Sequence, residues 1–469
     1  MTDSQDGSDR GRVRLSRRDL LRGVAGFGVV SVAGVGRGAG GDLRWSFDVG
    51  NAVNTSPTVV AGTVFVGSSD SIYALDAATG EQAWTFETEG SATTPVVEDG
   101  TAFVGAGRGF GNGDIYALDA ATGEQRWRFG PGENAFTSPA VSGDTVVVAD
   151  SGADGAVNLL SVSTGEAVGS FETREAELLF APVTVVDGTA VLGSTRGLTD
   201  GALYAYAVAD RETRWTVERF AEIQVSPTVA NGRVFAGTES GRMQAVDLES
   251  GEGVWAADIA GPGDSSQVTA ASAPTVADDR VFVGGSNDNV YALSADSGEQ
   301  EWVFETDGLV RSSPTVAGER VFVGSVDNSL YALDAATGER VWAFETDDWV
   351  LSAPTVVDGT AYVGSTDGNV YALDAGVEGA SRGSRVLRRT LGHHDVIGDR
   401  RPTALIGVDS PESNTPTTLR ARTGGEIDSY EWDLTGDGSV DDTGQTVRRR
   451  FDPGQREVTV TVTGPGGEA

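Results

Sequence analysis

The chain has no cysteine, so a disulfide framework, a thiolate metal cluster and a cysteine nucleophile are all excluded, and the fold must hold by packing alone. It also has no lysine: all 34 basic residues are arginine, set against 69 Asp and Glu, for a formal net charge of -35. Such a surplus repels a compact chain from itself and is tolerable where salt screens it, because the Debye length falls to about 3 Å at 1 M. The composition points to a halophilic source and argues against nucleic acid or an anionic membrane surface as partner. Past the N-terminal leader, no apolar run is long enough for a membrane span. What is present is 469 residues with 65 Gly and 39% hydrophobic side chains, enough for one large β-rich domain and a small one.

Residues 10 to 22 are Arg-rich and contain Ser16-Arg17-Arg18-Asp19-Leu20-Leu21, followed by the weakly hydrophobic run Gly23 to Val35. This resembles a twin-arginine export signal. The resemblance implies that residues 1–42 are a leader outside the fold and that the folded chain is exported to the cell surface or the extracellular space. Without cysteine there is no lipobox, so an uncleaved leader is the one segment that could act as an anchor.

Internal repetition dominates the rest. The stretch from Ser56-Pro57-Thr58-Val59-Val60 to Trp84 is nearly repeated from Ser313-Pro314 to Trp342, and the repeat prolines fall at 57, 95, 139, 182, 227, 274, 314 and 354, with spacings of 38 to 47 residues. That period with β-type content predicts four-stranded propeller blades. Each unit reads as Pro-Thr-Val-Val, Val-Phe-Val-Gly, Val-Tyr-Ala-Leu-Asp and Trp-x-Phe-Glu-Thr, separated by Asp-Gly and Thr-Gly-Glu turns. The eighth unit, Pro354 to Asp374, lacks its last strand, while Trp45-Ser46-Phe47-Asp48 stands alone before the first. The prediction is an all-β, eight-bladed β-propeller over 43–375, closed by that N-terminal strand.

The words Ala-Leu-Asp-x-x-Thr-Gly-Glu-x-x-Trp at 74–84, 117–127 and 332–342 resemble the Trp-bearing repeat of the pyrroloquinoline-quinone (PQQ) dehydrogenases and their non-enzymatic relatives. The resemblance implies that Trp45, Trp84, Trp127, Trp215, Trp255, Trp302 and Trp342 dock between blades. Blade three departs, with Gly169 at the Trp position, and a weaker interface is expected there.

Spacing within the repeats carries the functional signal. From the repeat proline to the small residue ending the second strand the separation is 10, once 11, and from the third-strand position (Tyr73, Tyr116 and so on) to the Trp position it is always 11. From that small residue to the third-strand position, however, the separation is 6 or 7 in five blades and 11, 9 and 11 in blades two, three and four, and Trp255 to Pro274 is also long. All substantial variation therefore falls on one face of an up-and-down propeller, where binding usually resides. Loops 106–115, 150–157, 194–202 and 258–273 form the expected rim, with Arg108, Phe110, Asn112, Arg196, Asp200, Asp264 and Gln267 as candidates. The recurrent Asp70, Asp288, Asp327 and Asp367 lie in hairpin tips, where turn chemistry explains them without a metal ring.

Residues 376–401 are rich in Arg, Gly and Ser and read as a linker. From 402 to 469 the pattern Tyr430-Glu431-Trp432-Asp433-Leu434-Thr435-Gly436-Asp437-Gly438, followed by alternating Val458 to Val462, resembles a PKD domain, a small immunoglobulin-like β-sandwich. Its last strand is not evident, so the module reads as truncated. Asp433 and Asp437 are the candidate metal ligands, for a Ca²⁺ ion, although position 12 of a full EF-hand loop is Gly444.

Together these features predict an exported, monomeric, non-enzymatic binding protein that contacts a protein or polysaccharide at the cell surface and holds no catalytic residue or resident cofactor. The alternative that the resemblance also implies is a PQQ- and calcium-dependent dehydrogenase. The charge makes its own prediction: the urea midpoint of unfolding should rise from dilute buffer to molar KCl, and a midpoint indifferent to salt would remove the halophilic reading.

Overall fold

A computed structural model describes residues 40–382 apart from 108–112, 131–136, 151–154, 174–178, 180, 196–199, 221 and 260–268, together with Val30–Ser31 and the strands between Thr403 and Glu468. Residues 43–374 form eight antiparallel sheets, each with a core of four strands in meander order. In the first, Thr58–Val60 is innermost, followed by Thr63–Gly67, Ser71–Asp76 and, outermost, Gln82–Glu87. Inner strands are covered on both faces, which is why they read as continuous apolar words such as Val64-Phe65-Val66, fully buried here.

The eighth sheet is closed as the missing word predicts. Leu43–Asp48 pairs with Asn369–Asp374, placing Trp45 opposite Ala372 just as Trp84 lies opposite Ala74. Val30–Ser31, from the expected leader, pairs outside it against Trp45 and Ser46. A second closure runs around the axis. The Thr that follows the repeat proline donates its hydroxyl to the proline carbonyl of the next blade, from Thr58 to Pro95 at 2.5 Å through to Thr355 to Pro57 at 2.7 Å. The same bond recurs from Thr228, Thr275 and Thr315, and in blade four, where Val183 intervenes after Pro182, from Thr184. Blades two and three carry Val96 and Ala140 at that place and have no hydroxyl to give.

The repeat motif has a physical meaning at the blade seams. Asp76 Oδ1 accepts hydrogen bonds from the amides of Ala78 and Thr79 and from the Thr79 hydroxyl, which shapes the turn into Gly80. Gly80 has φ +74°, and a Cβ there would stand 2.6 Å from the ring of Trp45, which arrives from the eighth blade. The indole N–H then donates to the Ala77 carbonyl at 3.0 Å. The motif is thus a seat: Asp bends the backbone, Gly removes the side chain, and the preceding Trp covers the gap. Seats of the same kind join Trp84 to Gly123, Trp127 to Gly165, Trp215 to Gly251, Trp255 to Gly298 and Trp302 to Gly338. The seat for Trp342 is split between the chain's two ends, Gly40–Gly41 on one side and Ala375–Gly376 on the other.

The exception is instructive. Gly169 stands opposite Leu159 at the Trp position, and the next blade's seat residue is Arg211, at φ +60°, instead of glycine. The Arg211 side chain runs across Gly169, with Cδ and Nε each 3.2 Å from where a Cβ would be. Wedge and seat have changed together. Phe171 of blade three stacks on Tyr206 of blade four with centroids 4.4 Å apart, and Tyr206 donates to the Glu172 carbonyl. This seam, expected only to be weaker, carries its own aromatic packing.

After the last blade the chain does not leave as a free linker at 376. Ser381–Arg382 adds to the inner edge of blade seven, Ala317 opposite Ser381 and Val316 opposite Arg382, and the Ser381 hydroxyl bonds the Val356 amide and carbonyl of blade eight. The reason is local: the inner strands have free edges facing the axis. Further on, strands within 403–468 form two small antiparallel sheets, of three and four strands. The immunoglobulin-like arrangement of these sheets remains an expectation from the sequence.

Two substitutions test the seat. Gly123→Ala should destabilise the propeller by about 2–4 kcal/mol, from the left-handed backbone and the overlap with Trp84 together, read as a lower urea midpoint. Gly169→Trp alone should lower the midpoint because Arg211 occupies its space, and Gly169→Trp with Arg211→Gly should recover part of the loss. Strict additivity of the two changes would show that wedge and seat are not coupled.

Candidate functional site

The two faces of the ring differ in kind. One carries the tight turns that seat the tryptophans. The other carries the hairpins between second and third strands and the loops that lead into each inner strand, and these bond to one another: the amides of Ala92, Val326 and Thr366 donate to the carbonyls of Ser68, Leu309 and Trp349. The described strand ends that flank the expected variable loops open onto this second, loop face, while residues 108–112, 151–154, 196–199 and 260–268 of those loops lie outside the described residues.

The loop face surrounds the mouth of an axial channel of about 230 Å³, lined by the residue before the repeat proline in seven blades, such as Ser56, Thr94, Ser138 and Ser313, by Pro182 itself in blade four, and by Gln224, Arg311 and Leu351. Part of the hydroxyl ring serves the backbone. Thr94 accepts from the Ser56 amide and Ser56 from the Ala353 amide. The side chains that vary come from two register positions. Three residues before the repeat proline stand Gln224, Ala271, Arg311 and Leu351; five before it stand Glu222, Thr269, Leu309 and Trp349. At the latter position the carbonyl accepts the amide of the following hairpin in each case, from Glu239, Ser286, Val326 and Thr366. The backbone is therefore constant and the side chain is free to differ.

These positions divide the mouth. Toward blade five lie Glu222, 8% exposed and bonded to the Gln224 amide, and Glu239. Burial, and then the neighbouring Glu222, hold the Glu239 carboxyl above the usual range, against the pull of Arg311. Toward blades seven and eight lie Leu309, Leu351 and Trp349, the last 49% exposed. The hairpin aspartates brace these loops. Asp327 accepts the Ser329 amide, the Tyr331 hydroxyl at 2.7 Å and the Asp307 amide at 3.0 Å; Asp367 does the same for Asn369, Tyr371 and Asp347. Burial and Asp327 push the Tyr331 phenol up to about 12. Both carboxylates are consumed by turn and loop.

Of the rim candidates, Asp200 is half-buried at the head of the strand Gly201–Ala207. Arg108, Phe110, Asn112, Arg196, Asp264 and Gln267 lie outside the described residues, as does Asp437; Asp433 ends the strand Ser429–Asp433. Trp349, Arg311, Glu222 and Glu239 were not among the sequence candidates. The signal existed: Trp349 falls outside the 11-residue register of the wedges, and aligning the residues ahead of each repeat proline exposes both variable positions. Arg311 is the basic side chain of the described channel lining, with Glu239 close enough to feel its charge.

Fold and face define an eight-bladed β-propeller of Trp-docked repeats with an irregular loop face around a polar channel. The family model Outer membrane protein assembly factor BamB matches residues 2–96, 69–273 and 266–409, and the chain belongs to that family. It is 27% identical over 242 residues to the outer membrane protein assembly factor BamB of Burkholderia pseudomallei (strain K96243), covering 48% of this chain and 58% of that protein, so the match spans little more than half the relative's length. BamB from Moraxella catarrhalis superposes with a TM-score of 0.57 at 21% identity, over 71% of this chain and 99% of that one. Quinohemoprotein alcohol dehydrogenase from Comamonas testosteroni superposes with a TM-score of 0.57 at 17% identity, over 72% and 76% of the two chains. At these identities the structural likeness is one of fold.

The mouth carboxylate makes a pH prediction. A carboxyl whose pKa is raised by folding contributes stability that is complete below its unfolded value, near pH 4, and is lost as pH rises through the folded one. Glu239→Gln should therefore be more stable than the parent at neutral pH and no more stable in acid, as read by thermal unfolding across pH; a constant offset at every pH would contradict the assignment.

Proposed function

We propose that this chain is an exported, non-enzymatic binding scaffold that presents the loop face of its propeller to a partner at the cell envelope or surface, a protein in preference to a polysaccharide. The observation that carries the reading is the segregation of the molecule into a face of repeated, interlocked turns and a face holding both the length variation and an exposed aromatic side chain. A rigid scaffold with irregular loops on one side suits recognition, and membership of a family named for an assembly factor adds weight to protein contact. Export by the twin-arginine route and a surface location belong to the same proposal, as does a PKD-like module at the C-terminus.

The test is site-specific photo-crosslinking in the native cell envelope. A crosslinker at position 69 or 307 on the loop face should trap discrete protein adducts that one at position 78 or 121 on the turn face does not. Adducts mainly from the turn face would overturn the assignment of the face. The dehydrogenase alternative is tested separately, by titrating PQQ with Ca²⁺ in high salt: no binding is expected, and stoichiometric binding would require alcohol and aldose oxidation to be assayed.

A further inference from the structure

Trp349 is the one exposed aromatic side chain among the described residues; the other exposed large hydrophobics, Val168, Val254 and Val303, lie on outermost strands. Its position is fixed. The carbonyl accepts from the Thr366 amide at 2.9 Å and from the hydroxyls of Ser365 and Thr366 at 3.1 and 3.2 Å, and its amide donates to Asp348 Oδ1 at 2.9 Å. Val350, next to it, is fully buried and its amide is bound to the Ser325 carbonyl. A half-exposed indole on so constrained a backbone loses little freedom when it is covered, which is the condition for an anchor at an interface.

The surroundings state what would cover it. Leu309 occupies the register position of Trp349 in the preceding loop and Leu351 follows Trp349 by two residues; Val326 donates its amide to Leu309, and the adjoining Ser325 carbonyl takes the Val350 amide, which ties the two loops together. The apolar arc is edged by Asp307, Asp347 and Asp348, all exposed and, among the described residues, unpaired with any basic side chain. Arg311 lies on the inner side, toward Glu239. An apolar contact bordered by carboxylates is complementary to an apolar side chain beside a cation.

We propose that Leu309, Trp349 and Leu351 form an anchor site for a partner polypeptide segment carrying an apolar side chain next to Arg or Lys, with Asp307, Asp347 and Asp348 receiving the cation. This rests on the protein-binding reading of the loop face and moves its centre from the long loops of blades two to five to the short, braced loops of blades seven and eight.

The probe is a phage-displayed library of random dodecapeptides, selected against the full chain and resynthesised for calorimetry. Enriched peptides should pair Arg or Lys with Leu, Phe or Trp, bind Trp349→Ala about thirtyfold more weakly, recover with Trp349→Phe, and lose part of their salt dependence with Asp347→Asn and Asp348→Asn together. The indole is outside every wedge, so Trp349→Ala should keep the parental unfolding midpoint, which separates lost contact from lost fold. Peptides that bind Trp349→Ala unchanged but fail on a chain lacking 107–113 would overturn this site and leave the loop-face reading standing. Failure to enrich any peptide, or enrichment of peptides blind to both changes, would overturn both. Quenching of Trp349 by soluble glycans but by no peptide would overturn the polypeptide assignment.

Discussion

The tryptophan that crosses each seam to lie on a glycine of the next blade is the contact on which this molecule depends. A single four-stranded blade cannot bury both of its faces, so stability must come from neighbours. The wedge meets that need at one point: a large ring covers the adjoining blade, its N–H satisfies a turn carbonyl, and the left-handed glycine lets ring and backbone touch. The demand is mutual, which explains the one place where it is absent. Blade three has lost the Trp, blade four has lost the glycine, and Arg211 with a Phe171–Tyr206 stack fills the seam instead. A ring of identical seams tolerates one such replacement because each seam answers only to its own two blades.

The same contact settles where irregularity is allowed. Wedges and seats occupy the outer strands and the turn face, so any lengthening of those turns would separate indole from glycine. The opposite face has no such constraint, since its loops need only return the chain to the axis. The constant amide-to-carbonyl bond between each entering loop and the following hairpin holds the backbone while leaving the side chain open to choice. A channel mouth that is carboxylate-rich on one side and apolar on the other follows from that freedom, and under the proposed function it is the surface a partner reads.

How much of this was legible before the fold depended on whether the feature was periodic. The eight prolines, the missing last strand of the eighth unit and the solitary Trp45 word led to closure by strand 43–48, because a repeat that lacks a strand and a strand that lacks a repeat have one economical solution. The split seat for Trp342 was not legible: Gly40 and Gly376 are far apart in sequence and become neighbours only when the ring closes. Loop length pointed to the loop face but drew attention to its longest members, whereas Trp349 and Arg311 sit in loops of ordinary length.

The sequence by itself determined the repeat, the number of blades and the constraint that no cysteine chemistry takes part, since each follows from residue type or from spacing along one chain, whereas the docking of the tryptophans was implied by the resemblance of the repeat. Only the tertiary structure decided which side chains share the channel mouth, that Ser381–Arg382 is drawn onto the inner edge of blade seven, and that one tryptophan of the loop face stays half in solvent. The physical reason is closure. A ring brings residues from distant repeats to a common axis, and proximity across that axis leaves no trace in the local pattern of any single blade.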